Sequence, residues 1–347
     1  MKCYPAHGTT GGSTSVVDTT HTIVICASAI LLLVLSACGG SRHEATEKYY
    51  MVSAIVQNGY WQTAQAGLTA GAKALSVPWE VAGPDNYDPK AEVEAFRGVV
   101  AKKPTGILVS VGDPNLMKDP IDAAIAQGIP VITIDADAPG SKRLAFVGTN
   151  NYQAGLMGGR TLAERMQGKG NVVVFTMPGQ ANLEERLQGY KNILANHPGI
   201  KIADVVDIKG DPAKVFDATS QMIAGKNPPD GYICLVSFAC QEVADVLDRK
   251  QVTGKVLIGM DTDPNTLTWI KKGAIAATIA QKPFTMAHFG IAMLDIVHHY
   301  NLPKLDLDWS KDTRAPLPTF VDTGATLIDK SNVDAFMAAQ PAAPAAK

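Results

Sequence analysis

The sequence predicts two α/β lobes, each a parallel sheet covered on both faces by helices. Three observations carry this. Ten short runs rich in Val, Ile and Leu recur along the chain, separated by amphipathic stretches of helical length. The runs are continuously apolar instead of alternating, as strands buried on both faces must be. The 347 residues exceed what one core usually serves, and a typical domain of roughly 150 residues favours two lobes.

In chain order, the first strand is read at 50–56, where Tyr, Met, Val and Ile cluster, and the first helix at 63–75. A strand at 79–82 leads to a helix at 89–101, and a strand at 106–111 to a helix at 116–127. Strands at 130–134 and 144–147 precede a helix at 153–166, and the polar turn Thr149-Asn150-Asn151 between them marks the break between lobes. The second half repeats the rhythm, with strands at 171–176, 200–206, 231–236, 255–259 and 274–280. Its helices are read at 183–196, 213–224, 241–249 and 264–272, and Pro283 opens a last one over 284–300. Ala and Pro dominate from Ala338, and residues 336–347 are expected to form a disordered tail.

Hydrophobic residues at 46% and charged residues at 18% exclude a disordered chain. Lys plus Arg number 31 against 33 Asp plus Glu, so the net charge of −2 supplies no general field for nucleic acid. Aromatic residues are only 6%, which makes any cluster of them informative.

The longest apolar run, 23–35, is thirteen residues. That is short of the roughly 20 a membrane-spanning helix needs, and suits the apolar region of a signal peptide. It ends in Leu35-Ser36-Ala37-Cys38-Gly39, which resembles a bacterial lipobox. Residues 1–37 are therefore expected to be a signal peptide, Cys38 the lipidated residue, and 38–48 a tether. Only Lys2 and Asp18 carry charge before the run, a weak match to a positive leader that initiation further downstream would explain. Of the five Cys, Cys234 and Cys240 then remain, and two free thiols are expected.

In open α/β sheets ligands sit at the carboxyl ends of the strands. After the first strand stand Asn58, Tyr60 and Trp61, an amide beside two rings. Aromatic faces pack on sugar C–H groups and amides bond hydroxyls; the competing reading is that a ring closes the core. After the fourth strand come Asp135 and Asp137, acceptors for hydroxyls if both face one side, or caps of a turn. Arg186 heads a later helix with five donors suited to a polyhydroxyl ligand, or else pairs with Glu on the surface. Phe238, Asp261 and Gln281 end three further strands, with core packing, a helix cap and a solvated turn as their respective alternatives.

Enzyme signatures are missing. There is no Gly-x-x-x-x-Gly-Lys-Ser/Thr loop, no Gly-x-Gly-x-x-Gly after the first strand and no Gly-x-Ser-x-Gly elbow. None of the seven His ends a strand, and no Cys or His spacing suggests a metal. No catalytic residue, metal or cofactor is expected, although Asp135 and Asp261 leave a paired-carboxylate glycosidase as a minor alternative.

The chain from Tyr49 to Ile328 resembles the ribose/galactose-type periplasmic sugar-binding proteins of ABC importers. The resemblance rests on Ile129–Asp135 (IPVITID), Gly148–Gly155 (GTNNYQAG), Gly259-Met260-Asp261 and Ala276–Pro283 (AATIAQKP). It implies two Rossmann-like lobes joined by a three-strand hinge, the periplasmic binding protein type I fold, with residues 49–149 plus 282–310 in the first lobe and 150–281 plus 311–335 in the second. By position it assigns ligand contacts to Asn58, Tyr60, Trp61, Asp135, Arg186, Asp261 and Gln281. There are departures: Ala136 stands where the ribose binders have Arg, with Asp137 as a partial substitute, Cys240 stands where an Asn is expected, and Gly210 where an aromatic is. The resemblance implies an extracytoplasmic, lipid-anchored monomer that binds a pentose, hexose or polyol, closes about its hinge and delivers to a membrane permease. A sensor presenting a sugar or furanosyl signal to a receptor kinase or chemoreceptor shares the same fold and pocket. Lactose-repressor-type regulators share the core but begin with a helix-turn-helix, where this chain has a signal segment.

Overall fold

A computed structural model of the protein describes residues 43–299, 315 and 317–339; the signal segment and Cys38 lie outside them. Six strands form each of two sheets. The first runs in the order β11 (Phe320–Asp322), β5 (Ala145–Gly148), β4 (Val131–Ile134), β3 (Gly106–Ser110), β1 (Tyr49–Ser53), β2 (Trp79–Ala82). The second runs β12 (Thr326–Asp329), β10 (Ala277–Ala280), β9 (Val256–Met260), β8 (Gly231–Cys234), β6 (Gly170–Thr176), β7 (Ile200–Asp207). The two orders superimpose strand for strand, so the lobes repeat one design. All pairings are parallel except that of β12 with β10. β1, with neighbours on both sides and helices on both faces, is buried at all five residues, which is why it reads as an unbroken apolar run.

The helices are α1 (Gly59–Leu75), α2 (Pro89–Ala101), α3 (Pro114–Ala126), α4 (Asn151–Arg165) and α5 (Ala181–Leu194). They continue as α6 (Pro212–Ala224), α7 (Ala239–Arg249), α8 (Pro264–Lys272), α9 (Pro283–His299) and α10 (Val333–Ala339). Four of them start at an Asp-Pro pair. Proline fixes φ where no N–H partner is needed, and the preceding aspartate accepts from the first turn. Asp88 accepts from Lys90 and Ala91, Asp113 from Asn115 and Asp211 from Ala213, at 2.9–3.1 Å; Asp263 makes no such bond. Each sheet carries its own apolar core. Three crossings join the lobes, after β5, after β10 and between β11 and β12.

The ends of the lobes differ from expectation. β11 lies in the first sheet, although 311–335 was assigned to the second lobe; at three residues it is too short to read from pattern. The expected tail is helical through Ala339, with Phe336 packed on the second core. Lys48 is not tether: its N–H donates to Thr105 Oγ1 at 2.8 Å and its carbonyl accepts from Thr105 N at 2.8 Å. Cys234 and Cys240 are buried and free. Among the described residues no helix is long and apolar enough to cross a membrane.

Candidate functional site

The carboxyl ends of both sheets face one cleft, and the chain delivers an aspartate from each side. Asp135 follows β4 and Asp261 follows β9, the same place in the two lobes. Both adopt the left-handed conformation, with φ of 63° and 66°. Such values are uncommon outside glycine, and Asp tolerates them better than most residues. Each is held by its own backbone. Asp135 N–H donates to Val147 O of β5 at 3.2 Å, and Asp261 N–H to Ile279 O of β10 at 2.8 Å. The kink ends the strand's alternation and turns the carboxylate to the cleft.

Around Asp135, the Tyr60 hydroxyl donates to one oxygen at 2.5 Å and the Ser110 hydroxyl to the other at 3.3 Å. Burial raises the Asp135 pKa, while Tyr60, Arg186 and Ser110 oppose it. Burial pushes Asp261 up to about 7, with Arg186 and Gln281 opposing and Asp135 adding to the rise. Gln281 Nε2 donates to Asp261 Oδ1 at 2.9 Å. Arg186 is 2% exposed. Its Nε donates to Asn151 Oδ1 at 2.9 Å, Nη1 to Leu235 O at 2.7 Å and Nη2 to Gln281 Oε1 at 3.1 Å. Gly155 makes this seat: a Cβ there would lie 2.1 Å from the Arg186 carbonyl oxygen.

Chemical capacity remains. A carboxylate has about four acceptor positions and a guanidinium five donors. Asp135 uses two, Asp261 one and Arg186 three. What is left is a set of acceptors opposite donors, which suits a small neutral ligand whose hydroxyls do both.

The periplasmic binding protein domain family matches residues 49–297. This chain belongs to that family. Periplasmic binding proteins of known structure share its architecture. The arabinose-binding protein AraP of Geobacillus stearothermophilus is 32% identical, with a TM-score of 0.69, over 84% of this chain and 99% of that one. A sugar-binding protein of a sugar ABC transporter from Bacillus halodurans is also 32% identical, with a TM-score of 0.74, over 84% and 100%. A xylose/arabinose-binding protein of Sulfolobus acidocaldarius is 24% identical over 314 residues, 85% of this chain and 74% of its own. These relatives are binding proteins, not enzymes.

Within the family frame, Tyr60, Asp135, Arg186, Asp261 and Gln281 converge. Each of the four other expected residues has a structural engagement of its own. Asp137 is fully engaged by Arg143 Nε and Nη2 at 2.5 Å each, by Thr133 Oγ1 at 2.6 Å and by Ala138 N at 2.8 Å. Phase with Asp135 was its warrant, and the left-handed turn at Asp135 destroys that phase. It therefore offers nothing in place of the Arg that Ala136 lacks. Trp61 is 6% exposed and packs in the first core, edge-on to Tyr60 at 5.4 Å. Asn58 Oδ1 caps α1 by accepting from Trp61 N at 2.9 Å. Phe238 is the N-cap residue of α7 and packs against the second core.

Ser110 and Asn151 were not anticipated. Ser110 ends β3, so the strand-end rule applies to it as it does to Asp135. Asn151 lies in the GTNNYQAG stretch but is 1% exposed and touches Arg186, which only the tertiary fold reveals.

Proposed function

We propose that this chain binds a monosaccharide or related polyol outside the cytoplasm and, by closing its two lobes on it, presents it to the permease of an ABC transporter. The observation that carries this is the pair of aspartates, Asp261 buried and Asp135 half-buried, one from each lobe, sharing the field of Arg186. Neither lobe alone holds the whole set, so a ligand that satisfies it favours the closed form, and binding shifts the open–closed equilibrium. Tyr60 offers a ring face beside Asp135 for the apolar side of a sugar. Relatives named for arabinose and xylose direct attention to pentoses. Asp135, Arg186, Asp261, Gln281 and Tyr60 are the proposed contacts, and the Asn58 amide nitrogen a further one. A lipid on Cys38 would hold the protein at the membrane, and the chain acts as a monomer without a cofactor.

The test is a thermal-shift screen of residues 45–347 against pentoses, hexoses, deoxy sugars and polyols. A ligand at about 100 times its Kd adds roughly 2.7 kcal/mol, several degrees in Tm. One clear hit is expected. No shift with any of them, and no sugar released on denaturation by mass spectrometry, would reject the proposal.

A further inference from the structure

A second contact joins the lobes at the edge of the sheets opposite the crossings. The Tyr87 hydroxyl, in the loop after β2, accepts from Gln180 Nε2 of the second lobe at 2.7 Å and donates to Gly112 O of its own lobe at 3.0 Å. Gly112 is itself pinned, its N–H donating at 2.9 Å to Oε2 of Glu92, which is wholly buried. A continuous chain thus runs from the first lobe's interior through Glu92, Gly112 and Tyr87 to Gln180. The Tyr87 ring also lies on Gly210, after β7. A Cβ there would stand 2.9 Å from Tyr87 Cδ1, and Gly210 has a φ of +72°, so both space and backbone require glycine.

The strand order shows what this contact senses. The interlobe crossings leave from β5, β10 and β11, at one end of the sheets, whereas β2 and β7 are the opposite edges. From β5 to β2 there are four strand spacings of about 4.8 Å, roughly 19 Å. A hinge opening of about 10° would therefore move Tyr87 from Gln180 by about 3 Å, enough to break the bond. The contact exists only when the cleft is shut.

We propose that Tyr87 is a positioning residue for closure: it latches the first lobe to Gln180 and Gly210 at the mouth of the cleft and so sets how long the closed, ligand-holding form lasts. The proposal takes the two-lobe sugar-binding reading as its setting. Tyr87 is protonated at working pH, since burial and Glu92 hold its pKa up at about 12, so the hydroxyl always has a proton for Gly112 and a lone pair for Gln180.

The test compares the full chain with Gln180→Met, Tyr87→Phe and the double variant. Binding kinetics are measured with L-arabinose, D-xylose, D-ribose and D-galactose in turn, and interlobe distances with one spin label on α2 and one on α6. Each single variant should raise koff roughly 3- to 10-fold, leave kon and the ligand-free Tm unchanged, and broaden the distance distribution. The double variant should be no worse than Tyr87→Phe. Unchanged koff, or effects that add independently, would overturn the latch. If the wild-type chain binds none of the four sugars, the sugar reading stands or falls on the wider screen above. The ligand-free distances then decide the latch: a smaller closed fraction in both single variants supports it, and identical distributions reject it.

Discussion

Asp135 and Asp261 are counterparts: each follows the same strand of its lobe, each is left-handed, and each donates its N–H to the next strand's carbonyl. The repetition of an uncommon backbone at two carboxylates of the same cleft points to a shared task, since such strain persists only where its surroundings enforce it. Replacement by Ala would confuse backbone with charge. Asn tolerates the left-handed region, so Asp135→Asn isolates the charge. Sugar affinity should fall at least 100-fold while Tm changes little, as read by calorimetric titration and by thermal unfolding. Near-normal affinity would place the site elsewhere.

Arg186 has two roles that one experiment separates. It faces both aspartates, and it also ties α5 to Asn151, Leu235 and Gln281. Arg186→Ala leaves buried acceptors unpaired, at a cost of about 2–4 kcal/mol, so Tm should drop by roughly 5–10 °C and sugar binding should vanish. Arg186→Lys should regain part of the Tm through a single charged donor, without regaining the binding. Recovery of binding by Lys would mean that only the positive charge matters.

Asp261 gives binding a pH dependence. Its ligand-free pKa is about 7, raised by burial. Ligand hydroxyls donate to the ionised form, so binding lowers this pKa and releases a proton. Affinity should therefore weaken as pH falls below 7, approaching tenfold per unit, while Asp261→Asn should bind weakly but with a flat profile between pH 5 and 8. A flat wild-type profile would show that Asp261 does not meet the ligand.

The sequence made the lobes legible because parallel strands buried on both faces must be apolar throughout. The short β11 and β12 escaped because only three or four partly exposed residues, FVD and TLID, are ordered by pairing with β5 and β10. At the site, strand-end position singled out Asp135 and Asp261, which stand at matching strand ends of the two lobes. The same rule misjudged Asp137, because pleat alternation stops where φ turns positive. Trp61 was misjudged because the third residue of a helix facing the sheet points into the core. Nothing local marks Tyr87, whose partners are 93 residues away at Gln180 and 123 at Gly210.

Cys38 lies outside the described residues, and its role rests on Leu35-Ser36-Ala37-Cys38. Cys38→Ser removes the acyl acceptor. The protein should move from the membrane fraction to the soluble fraction of a bacterial host, and lose incorporation of labelled fatty acid. Continued membrane association would discard the lipid anchor.

Glu92 sets a pH dependence of stability distinct from that of binding. It is 0% exposed, Oε2 accepts from Gly112, and Oε1 has no partner among the described residues. Burial raises its pKa from the ordinary 4.5 to about 8, against the opposing Gly112 bond. Between those values the folded chain keeps a proton that the unfolded chain has lost. Stability therefore falls as pH rises through this window, by about 1.4 kcal/mol per unit at most, and levels off above pH 8. Glu92→Gln can still accept from Gly112 but cannot ionise. The difference in unfolding free energy between wild type and this variant, measured in urea at pH 5, 6.5 and 8, should slope in the variant's favour as pH rises. A constant difference would mean that Glu92 is ionised in the folded protein, and that the Gly112 loop beneath Tyr87 rests on a charge instead of a neutral carboxyl.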